Sequence, residues 1–310
     1  MSLLALALAG CASAPPAVPR GQQPTIVSLN PCTDAILAEV ADPAQLLAIS
    51  HYSHDPRSTS MHLAAARRFR STGGTAEEVA ALAPDLVVGS SFMAPATRDA
   101  LERMGMRVET LGIAATVAES IAQVRTLAKL AGHPERGEAL VARIETSVGG
   151  LADAPMEAAL WQGGGIVAGK GTLVSDLLQS AGFASYTARR GMAQGDYLPL
   201  ERIAADPPDL LLVAGSEIGQ RHPILARIPG MAVARFDAAL TFCGGPSIMK
   251  ATSRLRGVRE QVTAASPPQR GGGGGGGARR DTRVGTLKDA PHTPTQPSPL
   301  RGRTSAERAS

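Results

Sequence analysis

Several short stretches of this chain combine residue types that can do chemistry. His51-x-x-His54-Asp55 sets two imidazoles and a carboxylate within five residues, the raw material of a metal site. Gly164-x-x-x-x-Gly169-Lys170-Gly171 is one residue short of a phosphate loop. Gly171 stands where a Ser or Thr would hold Mg²⁺, and no companion acidic strand end is evident. A Gly-rich turn that presents a helix N-terminus to an anion is the other reading of the same residues. Arg189-Arg190 can neutralise carboxylates or simply stand in solvent. No Gly-x-Ser-x-Gly occurs, and no Ser/His/Asp set can be argued.

Two glutamates stand out by repetition. Ala76-Glu-Glu-Val-Ala-Ala-Leu-Ala-Pro-Asp-Leu-Val-Val-Gly89 is echoed by Leu200-Glu-Arg-Ile-Ala-Ala-Asp-Pro-Pro-Asp-Leu-Leu-Leu-Val-Ala-Gly215. Glu77 and Glu201 each stand seven residues before a Pro-Asp-Leu, at Pro84 and Pro208. Each copy reads as a short helix, stopped by proline, that leads into an all-apolar strand of the kind buried on both faces of a parallel sheet.

The elements that must position these residues alternate. Strands are expected at Thr25–Leu29, Gln45–Ile49, Leu86–Val88 and Arg107–Leu111, with helices from Thr33 or Asp34 to Val40 and near Pro95–Met104. Val117, Ile121, Val124, Leu127 and Leu130/Ala131 then recur at helical steps, and Gly132-His133-Pro134 separates that helix from a second one ending near Val148. The second would be roughly 22 Å long, enough to cross between two lobes. Alternation resumes with strands at Ala158–Gln162, Leu210–Val213 and Ala232–Phe236 and helices at Thr172–Ser180 and Pro246–Glu260. The expected fold is α/β: two Rossmann-like β/α lobes joined by a long linking helix, with a ligand cleft between the lobes. The corresponding divisions are a leader and tether over 1–23, an N-terminal lobe over 24–112, a helical linker over 113–150, a C-terminal lobe over 151–262 and a tail over 263–310.

The termini differ in kind. Leu3–Ala9 suits the core of an export signal and is too short to span a bilayer. Leu8-Ala9-Gly10-Cys11 reads as a lipobox in which Cys11 is lipidated and anchors the protein to a membrane; cleavage after Ala12-Ser13-Ala14 is the alternative. Cys32 and Cys243 remain; in an exported protein they can pair or stand free and buried. The tail opens on seven glycines and holds few large apolar residues, a composition that cannot bury enough surface to order itself. It carries eight of the Lys/Arg against three acids, whereas the whole chain is only +4, so what precedes it is near neutral and offers no general nucleic-acid-binding field.

The motifs taken in order show a resemblance. Thr25-Ile-Val-Ser-Leu-Asn-Pro31, His51-Tyr-Ser, Gly73-Gly74 followed by Glu77 and Ala83-Pro-Asp-Leu86, Gly169-Lys-Gly-Thr-Leu-Val174, Asp196-Tyr-Leu-Pro-Leu-Glu201, and Cys243-Gly-Gly-Pro246 resemble the helix-linked periplasmic binding proteins. These are the substrate-binding components of ABC importers for cobalamin, ferric siderophores and haem. The resemblance covers roughly 24–262. It implies a periplasmic or envelope-anchored carrier, not an enzyme, monomeric and without a cofactor of its own. Its ligand would be a metal chelate held between the lobes, and its partner the permease and ATPase complex. It also implies that Glu77 and Glu201 dock onto permease arginines. The candidate ligand residues sit at strand ends: Pro31, Cys32, His51, Tyr52, Ser90 and Phe92 in the first lobe, and Trp161, Lys170, Arg189, Arg190 and Tyr197 in the second. Tyr52 leads, as an aromatic at the family's ligand platform. Ser71 and Ser90 stand where cobalamin binders place aromatics, which leaves the ligand open. An incidental pair of loop histidines is the preferred reading of His51 and His54, since importers of bare metal draw ligands from both lobes. The competing function is an exported α/β hydrolase using the Lys170 loop or the His51/His54 pair.

Overall fold

The computed structural model describes residues 23–149 and 156–265. Cys11, the tether and most of the tail lie outside them. The first sheet is built from β1 (Ile26–Ser28), β2 (Leu46–Ser50), β3 (Ser71–Thr72), β4 (Leu86–Ser90) and β5 (Arg107–Leu111). All five pair in parallel, in the order β3-β2-β1-β4-β5. Helices α1 (Pro31–Val40), α2 (Leu63–Ala66), α3 (Ala76–Ala80) and α4 (Pro95–Arg103) make the crossovers, with a 3-10 turn at His51–His54. Val87 and Val88 are fully buried, as an apolar strand between two helical layers must be.

Two helices follow, α5 (Val117–Ala131) and α6 (Pro134–Val148). Gly132 ends α5 in the left-handed conformation at φ 82°, so the chain reverses and the pair forms a hairpin. The second sheet comprises β6 (Met156–Gln162), β7 (Ile166–Val167), β8 (Phe183–Ser185), β9 (Asp196–Tyr197), β10 (Leu210–Ala214) and β11 (Ala232–Arg235). Its helices are α7 (Leu173–Ser180), α8 (Tyr186–Arg189), α9 (Leu200–Ala205) and α10 (Ser247–Ala265). The order is β11-β10-β6-β7-β9, with β8 beside β6. Pairs β6–β10, β10–β11 and β6–β8 are parallel, whereas β7 runs antiparallel to both β6 and β9. The second sheet is thus mixed, and its antiparallel edge is an addition that the sequence pattern did not announce.

One apolar cluster joins the two halves. Ile36 and Leu37 of α1, Val124 and Leu127 of α5, Leu140 and Ile144 of α6, Leu177 of α7 and Leu255 of α10 belong to it, together with strand residues of both sheets. The hairpin is therefore packed into a continuous core instead of standing free as a rod. Ion pairs Arg136–Asp42 (2.8 Å) and Arg143–Glu39 (3.0 Å) add surface ties between α6 and the segment around the end of α1. Exposed pairs of this kind contribute about 0–1 kcal/mol each, so the apolar seam does most to hold the halves in register.

Candidate functional site

In parallel α/β sheets the loops at the carboxyl ends of the strands are free to build a site. Here those loops from both sheets converge on a cavity of about 440 Å³. Asn30, Cys32 and Thr33 enter it after β1, Ser90 and Phe92 after β4, and Ile113 after β5. The second half contributes Gln162 at the end of β6, Ile166 and Val167 of β7, Gly171–Val174 at the head of α7, Gln194, and Thr241–Gly244 ahead of α10. Phe92, Ile113, Ile166 and Phe242 belong to the large apolar side chains left exposed, Phe92 at 74%. Two come from each half, so both walls present uncovered apolar surface to the same space.

At this cavity the Cys32 and Cys243 side chains are joined in a disulfide, with their Cα atoms 5.1 Å apart. It ties the first turn of α1 to the loop before α10, across 211 residues of chain. The question the sequence left open is answered in favour of pairing. The Gly-Gly after Cys243 has a steric cause. A Cβ on Gly244 would come within 2.3 Å of Ser120 Oγ, and Gly245 sits at φ +65° while its N–H donates to that same hydroxyl at 2.7 Å. The loop lies against α5 too closely for side chains.

The α1 terminus is organised by two polar groups. Asn30, not Thr33 or Asp34, is the cap: its Oδ1 accepts from the Cys32 N–H at 2.9 Å. Asp34 is instead sealed inside. Its Oδ2 accepts from the Ser53 hydroxyl at 2.6 Å and the Ser50 N–H at 3.0 Å, while Oδ1 has no partner. Burial pushes its pKa up to about 8, against the hydrogen bonds that lower it. The carboxyl thereby fastens α1 to the turn that carries His51 and Tyr52. Sequence reasoning missed this role, because a single Asp in a first turn reads as a dipole complement.

Of the expected ligand residues, the structure brings Cys32, Ser90 and Phe92 together at the cavity. Tyr52 is half exposed and His51 exposed, their rings 4.1 Å apart and tilted by 35°. They follow β2, on the same edge of the sheet as Asn30 and Ser90, but outside the cavity lining. Pro31 is the first residue of α1 and also off the lining. Lys170 is exposed beside the lining residue Gly171, and Tyr197 pairs with Ile166 across β9–β7.

Three residues are elsewhere. Trp161 is only 4% exposed, and its indole N–H donates to the Leu198 carbonyl at 2.9 Å. The strand ends at Gln162 as expected, but Trp161 stands inside the ladder opposite Val213 and it is Gln162 that reaches the cleft. Arg190 bonds Asp206 at 2.8 Å, reaches Glu157 at 3.4 Å and covers the Tyr186 ring at 3.5 Å. This contact holds the Asp206 carboxyl below its usual range. Arg189 pairs with Glu157 at 3.0 Å. Glu157 lies five residues before Gln162 on β6, roughly 16 Å of strand from the cleft edge. The arginine pair closes a network at the far end of the sheet.

The Lys170 loop does not have the geometry of a phosphate cradle. The Lys170 N–H is used by the Met192 carbonyl at 2.8 Å, and a Cβ on Gly169 would strike that carbonyl. Thr172 caps α7, accepting from Ser175 N–H, so the helix does present its N-terminus to the cleft. His54 bonds the Ala66 carbonyl at 3.1 Å, and Asp55 is paired with Arg57. Among the described residues no group of three or more His, Cys, Asp or Glu could hold a metal ion.

Glu77 and Glu201 are both exposed in the first turns of α3 and α9, the helices that precede buried strands β4 and β10. Neither carboxylate has a hydrogen bond or ion pair with the described residues. Its neighbour Glu78 is different: it accepts from Thr72 Oγ1 at 2.8 Å and Gly73 N–H at 2.6 Å, which lowers its pKa.

Two α/β halves with a cleft between their strand ends define a binding protein of the two-lobed class. The sequence pattern of the periplasmic binding proteins matches residues 26–231, and the chain belongs to that family. It is a substrate-binding carrier of the periplasm and not an enzyme. Among solved structures it is similar to the periplasmic haem-binding protein RhuT from Roseiflexus sp. RS-1, at 21% identity and TM-score 0.57, covering 76% of this chain and 99% of that one. It is also similar to the haem-binding protein HutB of Vibrio cholerae (15%, TM-score 0.63, 76% and 98%) and to the vitamin B12-binding protein BtuF of Vibrio cholerae (16%, TM-score 0.58, 77% and 97%). A search of the curated proteins finds no match.

Proposed function

We propose that this protein captures a metal chelate in the inter-lobe cleft and delivers it to the permease of an ABC importer, docking through Glu77 and Glu201. The observation that carries the reading is the convergence of Phe92 and Ile113 from one half and Ile166 and Phe242 from the other on a single cavity. Exposed apolar surface has a free-energy cost that a ligand with its own apolar body would relieve. Cobalamin, haem and ferric siderophores are the candidates. The haem- and B12-binding names of similar folds support this class. Two unpartnered carboxylates, one per half, suit docking, since complementary charge sets orientation and on-rate more than affinity. Lipidation at Cys11 would hold the carrier near its permease.

Such ligands are coloured. Titration of the protein with cyanocobalamin, hemin and ferrichrome should give a saturable one-to-one change in the visible spectrum. The double variant Glu77→Gln/Glu201→Gln should bind as the parent does and lose uptake in cells by at least about tenfold, at the scale of paired interfacial charges. Normal uptake by that variant would remove the docking assignment. No binding of any chelate would remove the carrier reading.

A further inference from the structure

The cleft wall of this chain is uncharged. None of the cavity-lining residues is charged; its polar side chains are the amides of Asn30, Gln123, Gln162 and Gln194 and the hydroxyls of Thr33, Ser90, Thr172 and Thr241. Asn30 is committed to its cap and Gln123 donates to the Gly112 carbonyl at 2.8 Å. The side-chain amides of Gln162 and Gln194 have no hydrogen bond with the described residues, which leaves each a free carbonyl and a free NH₂. The charged groups bonded into the adjoining backbone are Arg235, which donates to the Gly215 carbonyl at 2.6 Å beyond the end of β10, and acids at the segments that carry Gln162, Gln194 and the head of α7. Glu217 accepts from Gly164 N–H at 2.6 Å, two residues beyond Gln162. Asp196 accepts from Ala193 N–H at 2.7 Å and so closes the turn bearing Gln194. Asp176 accepts from Val117 N–H at 2.7 Å beneath the head of α7. A ligand carboxylate desolvated here would meet no counter-ion on the lining, while carboxylates are bonded into three flanking segments and the neighbouring cation, Lys170, stands off the lining in solvent. The N-termini of α1 and α7 act the other way, but their caps are filled, and a helix end is worth roughly a two- to fivefold gain for an anion.

Resting on the carrier reading above, we infer that this cleft sorts chelates by the charge of their rim and takes an uncharged, amide-bearing chelate, with Gln162 and Gln194 as specificity-determining side chains. An amide rim matches free glutamine amides donor to acceptor in both directions. A carboxylate rim offers only acceptors and adds charge.

The test uses the mature full chain and four probes of known charge. Ferrichrome and cyanocobalamin have uncharged, amide-rich surfaces; hemin and ferric enterobactin are anionic. The tightest uncharged probe should bind at least about tenfold tighter than either anion. Gln194→Ala and Gln162→Ala should each weaken it about fivefold, and the exposed Gln194 keeps the test valid if Gln162→Ala folds poorly. Gln194→Lys should raise hemin affinity and lower that of the uncharged probe. Tighter binding of an anion by the parent protein, or unchanged affinity in Gln194→Ala, would overturn the inference and leave the carrier reading standing. An anion preference abolished by Lys170→Ala would overturn it by assigning the sorting to the loop cation. Binding of none of the four probes would overturn both.

Discussion

The two halves place an aspartate four residues after the cap of their first cleft-facing helix, and they use it differently. In the first half the cap is Asn30 and the acid Asp34; in the second they are Thr172 and Asp176. Asp34 is fully buried and bonds only within its own half, to Ser50 and Ser53. Asp176 is half-buried and receives the N–H of Val117, the first residue of the linking hairpin. One acid stiffens a lobe internally. The other fastens its lobe to the bridge. The same local sequence device therefore serves rigidity in one place and inter-lobe registry in the other, and what differs is the neighbour the fold supplies. The disulfide exaggerates the contrast, since it pins the α1 terminus across the cleft while nothing covalent holds α7.

Breaking that disulfide should have the largest effect on the comparison. Cys32→Ser/Cys243→Ser opens a very long loop in the unfolded chain, and such a change costs roughly 2–5 kcal/mol. The expected outcome is a lower midpoint in guanidinium unfolding, reproduced in the parent by a reducing agent. An identical midpoint in oxidised and reduced protein would show that the apolar seam alone fixes the α1 terminus.

Much of this architecture was legible in the sequence, for identifiable reasons. The apolar runs of strands β4 and β10 each begin directly after a Pro-Asp that stops the preceding helix, and α5 and α6 have clean three- and four-residue periodicity around Gly132-His133-Pro134. The antiparallel edge was not legible, because β7 and β9 are two residues each and carry no period. The site was only partly legible. Strand-end logic located Ser90 and Phe92 and the end of β6 at Gln162, but successive strand residues face opposite ways, so Trp161 turns into the core while Gln162 reaches the cleft. Arg189-Arg190 read as anion ligands because their partners Glu157 and Asp206 are distant in sequence. Gln123 was invisible, being one polar residue on a helix whose apolar face was all that periodicity could report.

Asp34 supplies the next contrast. Asp34→Ala strands the Ser53 hydroxyl and Ser50 N–H in the interior, at about 2–3 kcal/mol for two buried polar groups left unmade. Asp34→Asn keeps an acceptor and removes the titration. Because the folded pKa is about 8 and the ordinary value 3.8, the folded state holds a proton that the unfolded state has released between those limits. The parent's stability should therefore decline as pH rises from about 4 to about 8, and Asp34→Asn should flatten that slope, gaining most at pH 8. Melting temperatures across this range check it, and parallel slopes in parent and variant would place the proton elsewhere.

The smallest effect is expected at Asp176, and its character matters more than its size. Asp176→Asn retains an acceptor for the Val117 N–H but loses the charge assistance, a difference of about 1 kcal/mol. Because the bond joins the second half to the hairpin, the loss should fall on the relative placement of the lobes. Amide exchange at Val117 and along the first turn of α5 should quicken several-fold, while exchange within β6 and β10 stays at the parent rate. The matching experiment on Asp34→Ala, which strands the Ser50 N–H and the Ser53 hydroxyl, should quicken exchange in the turn at His51–His54 and leave α5 untouched. If both variants loosened the same segments, the two aspartates would be doing one job, and the division between a stiffened lobe and a fastened one would fall.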